Sequence, residues 1–221
     1  MALRTTRRQL VTAAAAAGVA GLALHRPAGR ALAALTATPP QTTGPFYPVE
    51  LPLDSDNDLV QVAGRAEQAA GQVLHLFGRV LDPDGRPLSG AQVQIWQCDA
   101  QGYYHHPGDR GGRADPNFQG FGTARAAADG TYRFRTLRPV PYPGRTPHIH
   151  FAVLGAEFET LVTQMYLRGE PLNERDGLFR SIRDPAQRDS VLVAVAPAPE
   201  VEAGAEAGTF DLVVARSLFK S

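Results

Sequence analysis

From residue 75 onward the sequence breaks into short apolar or alternating runs, each closed by turn-forming residues. This punctuation limits the possible folds more than any other feature of the chain. "HLFGRVLD" ends in Asp82-Pro83-Asp84-Gly85, a strong turn signal, and "AQVQIWQC" follows as the next strand. In "GTYRFRTL", after Asp129-Gly130, Tyr132, Phe134 and Thr136 alternate with Thr131, Arg133 and Arg135, the period of a half-buried strand. "HIHFAVLG", "FETLVTQMYLRG", "DSVLVAVAP" and "TFDLVVAR" continue the series. Apart from the N-terminal segment, no long stretch repeats apolar residues at helical spacing. The pattern indicates an all-β fold, an antiparallel β-sandwich with long irregular loops. Residues 99–130 form the longest expected loop, glycine-rich and aromatic, and a loop of that length inside a compact domain is usually functional.

The chain divides into three parts. Residues 1–33 read as an export signal: Arg7 and Arg8 precede an Ala/Gly/Leu/Val run from Leu10 to Leu24, and Ala31-Leu32-Ala33 is an A-x-A-like cleavage site. The apolar run is too short and too rich in Ala and Gly for a membrane span, so no stable membrane anchor is expected once it is removed. The paired arginines resemble a twin-arginine signal, and an ordinary secretory signal is the alternative; either places the protein in the periplasm or outside the cell. Residues 34–74 contain four prolines before Val49, which exclude regular helix or central strand. They read as an extended arm lying over the domain, with Phe46 and Tyr47 available to dock. Residues 75–221 form the sandwich domain, and 221 residues in all suffice for one sizeable core.

Charge excludes one class of partner. Basic and acidic residues number 22 each, and residues 1–33 hold five Arg and no acid, so the remainder carries 17 basic against 22 acidic residues. A mildly acidic surface offers no electrostatic footprint for nucleic acid. The single cysteine, Cys98, cannot form an internal disulfide and reads as a buried, inert thiol.

The chemistry centres on "GRTPHIHF". In a strand, His148 and His150 point to the same face and could share one ion. A bare H-x-H also describes exposed or hydrogen-bonded pairs, so the spacing does not decide the matter. The nearest downstream acid, Glu157, is seven residues after His150 and on the opposite face of a straight strand, which argues against a two-histidine, one-carboxylate iron(II) centre. Tyrosines are the surplus donors: Tyr142 between prolines in "RPVPYPGR", and Tyr103 and Tyr104 in the long loop. Phenolate is a hard anionic donor that suits Fe(III), although each tyrosine taken singly reads as a packed aromatic. His105 and His106 read as rim or solvent residues, and His75 as an ordinary strand position.

"TPPQTTGPFYP", "GQVLHLFGRVLDPDGRPLSGAQVQIWQCDAQGYYHH", "DGTYRFRTLRPVPYPGRTPHIHF" and "TQMYLRGEP" together resemble the intradiol ring-cleavage dioxygenases, nearest to the protocatechuate 3,4-dioxygenase type, over residues 38–216. The resemblance implies non-haem Fe(III) held by Tyr104, third in the G-x-Y pattern, by Tyr142, and by His148 and His150. It also implies that the Tyr142 ligand is axial and leaves when a catechol dianion chelates the iron. Arg145 matches the arginine that meets negative charge on the substrate ring, and Gln164 matches a glutamine of the pocket. The implied reaction is cleavage of a catechol-type ring by O2 between the two hydroxylated carbons, giving a muconate-type diacid. Protocatechuate, catechol, hydroxyquinol and lignin- or plant-derived catechols all remain open as substrates. A complete ligand set in one chain suggests a homo-oligomer. The rival reading starts from "GRVLDPDGRPLSGAQVQIW", which also resembles non-catalytic transthyretin-like and carboxypeptidase-regulatory-like β modules. It leaves Tyr104, Tyr142, His148, His150 and Arg145 as coincidence.

Overall fold

The computed structural model describes residues 34–109, 113–156 and 158–215; the export segment, Glu157 and the end of the resemblance at residue 216 lie outside the described residues. Two five-stranded sheets pack face to face. In the first, β1 (Val73–Leu81) is the central strand. It is flanked by β4 (Thr131–Leu137) on one edge and by β9 (Glu206–Thr209) and β10 (Leu212–Val213) on the other, with β8 (Val195–Pro197) beyond β9. The second runs β3 (Phe121–Arg125), β2 (Gln92–Trp96), β5 (His148–Leu154), β6 (Leu161–Leu167), β7 (Leu192–Val193).

The core follows from alternation. Leu74, Leu76 and Val80 of β1 and Phe134 of β4 meet Val93 and Ile95 of β2 and Ile149, Phe151 and Val153 of β5 in one buried cluster. Burying an aliphatic or aromatic side chain of this size contributes about 1.5–3 kcal/mol. The Asp82–Gly85 turn closes as its sequence demands: the Gly85 amide donates to the Asp82 carbonyl at 2.9 Å, and Gly85 takes φ +78°, open to glycine at no steric cost.

The fold is the expected sandwich, with four local departures. Three ladders are parallel (β1 with β9, β1 with β10, β6 with β7), so both sheets are mixed. The β6–β7 pair is parallel because a crossover separates its strands. That crossover comprises a 3₁₀ turn (Pro171–Arg175) and two short helices, α1 (Gly177–Ser181) and α2 (Pro185–Ser190), each capped by an aspartate. Five- and six-residue helices are too short to leave a periodic signature. "DSVLVAVAP" is two strands, since the chain changes sheets between Val193 and Val195. "TFDLVVAR" is broken between β9 and β10, where Phe210 turns into the core.

The fourth departure corrects the long loop. Residues 99–130 are not irregular throughout, because β3 lies within them and pairs antiparallel with β2 from Phe121 opposite Trp96 to Arg125 opposite Gln92. Its sequence, FGTAR, has one β-branched residue and a glycine, and strand formation there comes from the waiting edge of β2.

The arm docks along the sandwich. Thr38 exchanges hydrogen bonds with Val213 of the first sheet, and the Gln41 amide donates to the Val162 carbonyl of the second. The Thr163 hydroxyl donates to the Pro39 carbonyl. Further along the arm, the carbonyls of Ser55 and Asp56 accept from the Thr123 amide of β3. Strand β1 begins at Val73, two residues before the expected start of the sandwich domain at residue 75.

Candidate metal centre

Strand β5 is buried on both faces. Ile149, Phe151 and Val153 face the inter-sheet core, which leaves His148, His150 and Ala152 on the opposite face. That face is covered by the arm and the long loop instead of a second sheet: Phe46 and Tyr47 pack against Trp96, Tyr104, Phe121 and Ala152. Register then sets a row across three strands, Trp96 opposite His150 and His150 opposite Gln164, with His148 opposite Tyr166 beside it. Trp96 stacks on the His150 ring, centroids 4.9 Å apart and 9° from parallel.

The two imidazoles converge, their Nε2 atoms 3.2 Å apart. His148 Nδ1 is 2.6 Å from the Thr146 carbonyl, an acceptor only, so the proton of the neutral ring sits on Nδ1 and Nε2 presents a lone pair. Burial, aided by the Arg145 charge, pushes His148 down to about 4. His150 is held well below its ordinary value by burial and by His148 and Arg145. Both rings are therefore neutral near pH 7, the form that ligates metals. Among the described residues no three His, Cys, Asp or Glu side chains group to hold an ion, so an ion at the two imidazoles would need donors of another type.

Two tyrosines meet that need. Tyr104 reaches the site from the loop because Asp99, itself buried, accepts from the amides of Gln101 and Tyr103, and Asp109 accepts from the Tyr104 amide. Gly102 takes φ +84° in this turn, a backbone conformation that L side chains rarely adopt, so the glycine of G-Y-Y is required by conformation. Tyr142 is carried by a turn in which the Arg145 amide donates to the Tyr142 carbonyl. Its ring lies 5.4 Å from that of His148 and 5.7 Å from that of Tyr104, and the Tyr104 and His150 rings are 6.4 Å apart. The structure thus brings Tyr104, Tyr142, His148 and His150 together.

The donor set fits a hard trivalent ion. The Tyr104 hydroxyl and His150 Nδ1 are buried with no hydrogen-bond partner, a costly condition for polar atoms that a bound cation relieves at the phenol. The two phenols influence each other's ionisation, although no hydrogen bond joins the Tyr104 hydroxyl to a partner. Without a cation, burial raises Tyr104 well above the usual phenol value, and burial likewise raises Tyr142, opposed by Arg145.

Arg145 stands beside this group. Its Nε donates to Asp176 at 2.8 Å, its Nη2 donates to the Gln164 side-chain oxygen, and its Nη1 lies 3.5 Å from the Tyr142 hydroxyl. Burial opposes its charge, but the Asp176 carboxylate overrides this and holds the guanidinium protonated. Gln164 in turn donates to the Thr42 carbonyl of the arm at 3.2 Å and accepts from the Tyr166 hydroxyl.

Further residues complete the site. Phe46 stacks on Tyr104 at 4.6 Å, and a Cβ at Gly44 would lie 3.2 Å from His150 Cε1, so the arm is a wall of the site. Asp176, buried in the crossover, could have been found only as a helix cap, from Asp-Gly followed by apolar residues. His105 bonds to the Asp115 carbonyl and His106 lies against Phe46, both at the rim of the arm–loop contact. His75 pairs with Glu202 far from the site. Burial pushes the Cys98 thiol up to about 12, which makes it inert. Two open cavities, of about 220 and 290 Å³, flank the Tyr142 ring.

A mixed β-sandwich with this donor set defines a class, and the sequence comparisons supply the family. The sequence model of a family described as dioxygenase matches residues 42–215. The protocatechuate 3,4-dioxygenase beta chain of Burkholderia cepacia is 36% identical over 179 residues, 77% of this chain and 76% of that one. The 6-chlorohydroxyquinol 1,2-dioxygenase of Cupriavidus pinatubonensis is 32% identical over 64% of this chain and 55% of its own length. Among solved structures, the dioxygenase domain of a dioxygenase carbohydrate-binding protein fusion from the cellulolytic bacterium Streptomyces sp. SirexAA-E superimposes with a TM-score of 0.64. It is 32% identical, and the match covers 82% of this chain and 100% of that one. The chain belongs to the intradiol ring-cleavage dioxygenases. It spans about half the length of the hydroxyquinol and catechol relatives it matches.

Proposed function

We propose that the chain cleaves a catechol-type ring between its two hydroxylated carbons, using O2 and an Fe(III) held by Tyr104, Tyr142, His148 and His150. The observation that carries the reading is the convergence of two neutral imidazoles and two tyrosines beside a guanidinium whose Nη1 makes a long, 3.5 Å contact with the Tyr142 hydroxyl. The net reaction breaks one aromatic carbon–carbon bond and places one oxygen atom of O2 on each former ring carbon, so a catechol becomes a muconate-type diacid. When bound, the ferric ion supplies chelation of both catechol oxygens and draws electron density from the ring.

The chain's own residues do the rest. The Thr146 carbonyl holds the His148 tautomer. Phe46 and Trp96 cover Tyr104 and His150 and keep water away. Tyr142 is only half-buried and lies between the two cavities, which makes it the ligand free to give way to an incoming catechol. Arg145, held from two sides by Asp176 and Gln164, places positive charge where negative charge develops on the ring. The non-catalytic β-module reading gives no reason for a buried, unpartnered Tyr104 hydroxyl.

The test is colour and oxygen. Loaded with Fe(III), the protein is expected to absorb broadly in the visible through its tyrosinates, and Tyr104→Phe to lose much of that band. Oxygen uptake across a panel of catechols should give one O2 consumed per diacid formed and should rank the substrates. A loaded protein that stays colourless, or takes up no oxygen with any catechol, would sink the reading. We also propose that residues 1–33 direct export of the folded protein and that the mature chain forms a homo-oligomer. Replacing Arg7 and Arg8 by lysine should block export of a fused reporter, and light scattering should report more than one chain per particle.

A further inference from the structure

We propose that Asp176 is a positioning residue for this reaction: one buried carboxylate sets both the aim of Arg145 and the backbone that orients His148. The inference rests on the iron-dioxygenase reading of the site. Asp176 sits between the 3₁₀ turn and α1, its side chain 0% exposed. One carboxylate oxygen accepts from Arg145 Nε at 2.8 Å and from the Thr146 amide at 3.0 Å. The other accepts from the amides of Leu178 and Phe179 at 2.9 and 3.0 Å, capping α1.

Two consequences follow from that geometry. Arg145 has a long, rotamer-rich side chain, and fixing it costs side-chain entropy. Bonds at Nε and Nη2 confine the guanidinium to one plane and leave Nη1 directed at the Tyr142 hydroxyl. The same oxygen pins the Thr146 amide, while the Thr146 carbonyl fixes His148 Nδ1 and its hydroxyl donates to Asn173. Asp176 therefore ties the substrate-facing cation and a ligand histidine to one rigid turn. A buried ion pair is weak evidence for stability, since removing two charges from water costs about as much as the pair returns. Its value here is direction.

The rival is that Asp176 merely caps α1. Asp184 supplies the control: it caps α2 through the amides of Ala186 and Gln187 and has no contact with Arg145. Asp176→Asn keeps a good cap but replaces one acceptor oxygen with a donor facing Arg145 Nε and the Thr146 amide. The experiment uses the Fe(III)-loaded full chain, with thermal melts, visible spectra, anaerobic spectral titration with catechol, and oxygen uptake. Asp176→Asn is expected to fold and bind iron with the tyrosinate band retained. Its kcat should fall at least tenfold, and anaerobic catechol affinity should weaken severalfold. Asp184→Asn should match the wild type.

Combining Asp176→Asn with Arg145→Lys should cost less than the product of the two single losses, because the part of the Asp176 effect that runs through the Arg145 guanidinium is already gone. If Asp176→Asn does not fold, Asp176→Ser keeps a capping hydroxyl, removes the carboxylate and carries the same expectations. Wild-type titration and turnover in the Asp176 variant, or losses that multiply in the double variant, would overturn the proposal alone. A wild-type protein that stays colourless with Fe(III) would overturn the iron reading and this proposal with it.

Discussion

Arg135 and Arg145 are equally hidden from solvent, with side chains 16% and 15% exposed, yet they are built for different ends. Arg135, on β4, spends all three nitrogens. Nε and Nη2 grip the two oxygens of Glu202 at 2.7 Å, Nη1 takes Asp58 at 3.1 Å, and Nη2 also reaches Gln68. His75 completes the cluster on Glu202. Arg145 commits Nε and Nη2 at short range, and its Nη1 makes only a long, 3.5 Å hydrogen bond to the hydroxyl of a tyrosine that is itself a candidate ligand. A guanidinium with every donor held at short range is a staple between segments, whereas one whose third nitrogen makes only a long contact with a candidate ligand can answer charge that appears during a reaction. Burial does not separate the two, and the hydrogen-bond inventory does.

The sharpest way to break this contrast is to exchange both arginines for lysine, which keeps charge but loses the planar fork. Arg145→Lys should lower kcat by about 10²–10³-fold, the scale of removing a preorganised electrostatic contact. Arg135→Lys should leave kcat within about twofold, as a group remote from the chemistry should. Steady-state oxygen uptake measures both, and equal losses would erase the distinction. A smaller effect separates them by stability. Arg135→Ala leaves Glu202 and Asp58 without their cation and should cost about 1–3 kcal/mol in urea unfolding, with activity per folded molecule unchanged.

The smallest effect is a pH dependence. The bond from Arg135, aided by His75 and opposed by desolvation, holds the Glu202 carboxyl at about 2, below its ordinary 4.5. A depressed carboxyl contributes stability that is present above the unfolded value and lost as pH falls through the folded one. Thermal stability should therefore decline between about pH 4.5 and 2. Glu202→Gln should flatten that part of the curve by less than about 1 kcal/mol, because the Glu202 side chain is 31% exposed and solvent screens the pair. A Glu202→Gln melt series parallel to the wild type would show that the cluster carries no charge-dependent stability.

The sequence disclosed parts of both clusters unequally. The alternation in "TYRFRTL" placed Arg135 on the outward face, and the structure has Tyr132, Phe134 and Thr136 buried opposite it. Nothing predicted that Asp58, Gln68 and Glu202 would gather there, since Glu202 is 67 residues away. For the site, H-x-H in a strand put two imidazoles on one face, and the glycine of G-Y-Y and the prolines around Tyr142 marked turns. The strand hidden inside residues 99–130 left no trace in its own residues, because its stability belongs to the β2 edge.

The sequence by itself therefore determined the alternation, the turns and the donor residues of this protein, because each is a property of near neighbours along the chain. Strand period, glycine torsion and the shared direction of His148 and His150 need no partner to be read. Only the tertiary structure decided that the arm roofs the histidines, with Gln41 bonded to Tyr166 across 125 residues. It alone brought Asp176 across 31 residues to aim Arg145. Those contacts depend on which strands pair and where the crossover lands, and no local pattern encodes them.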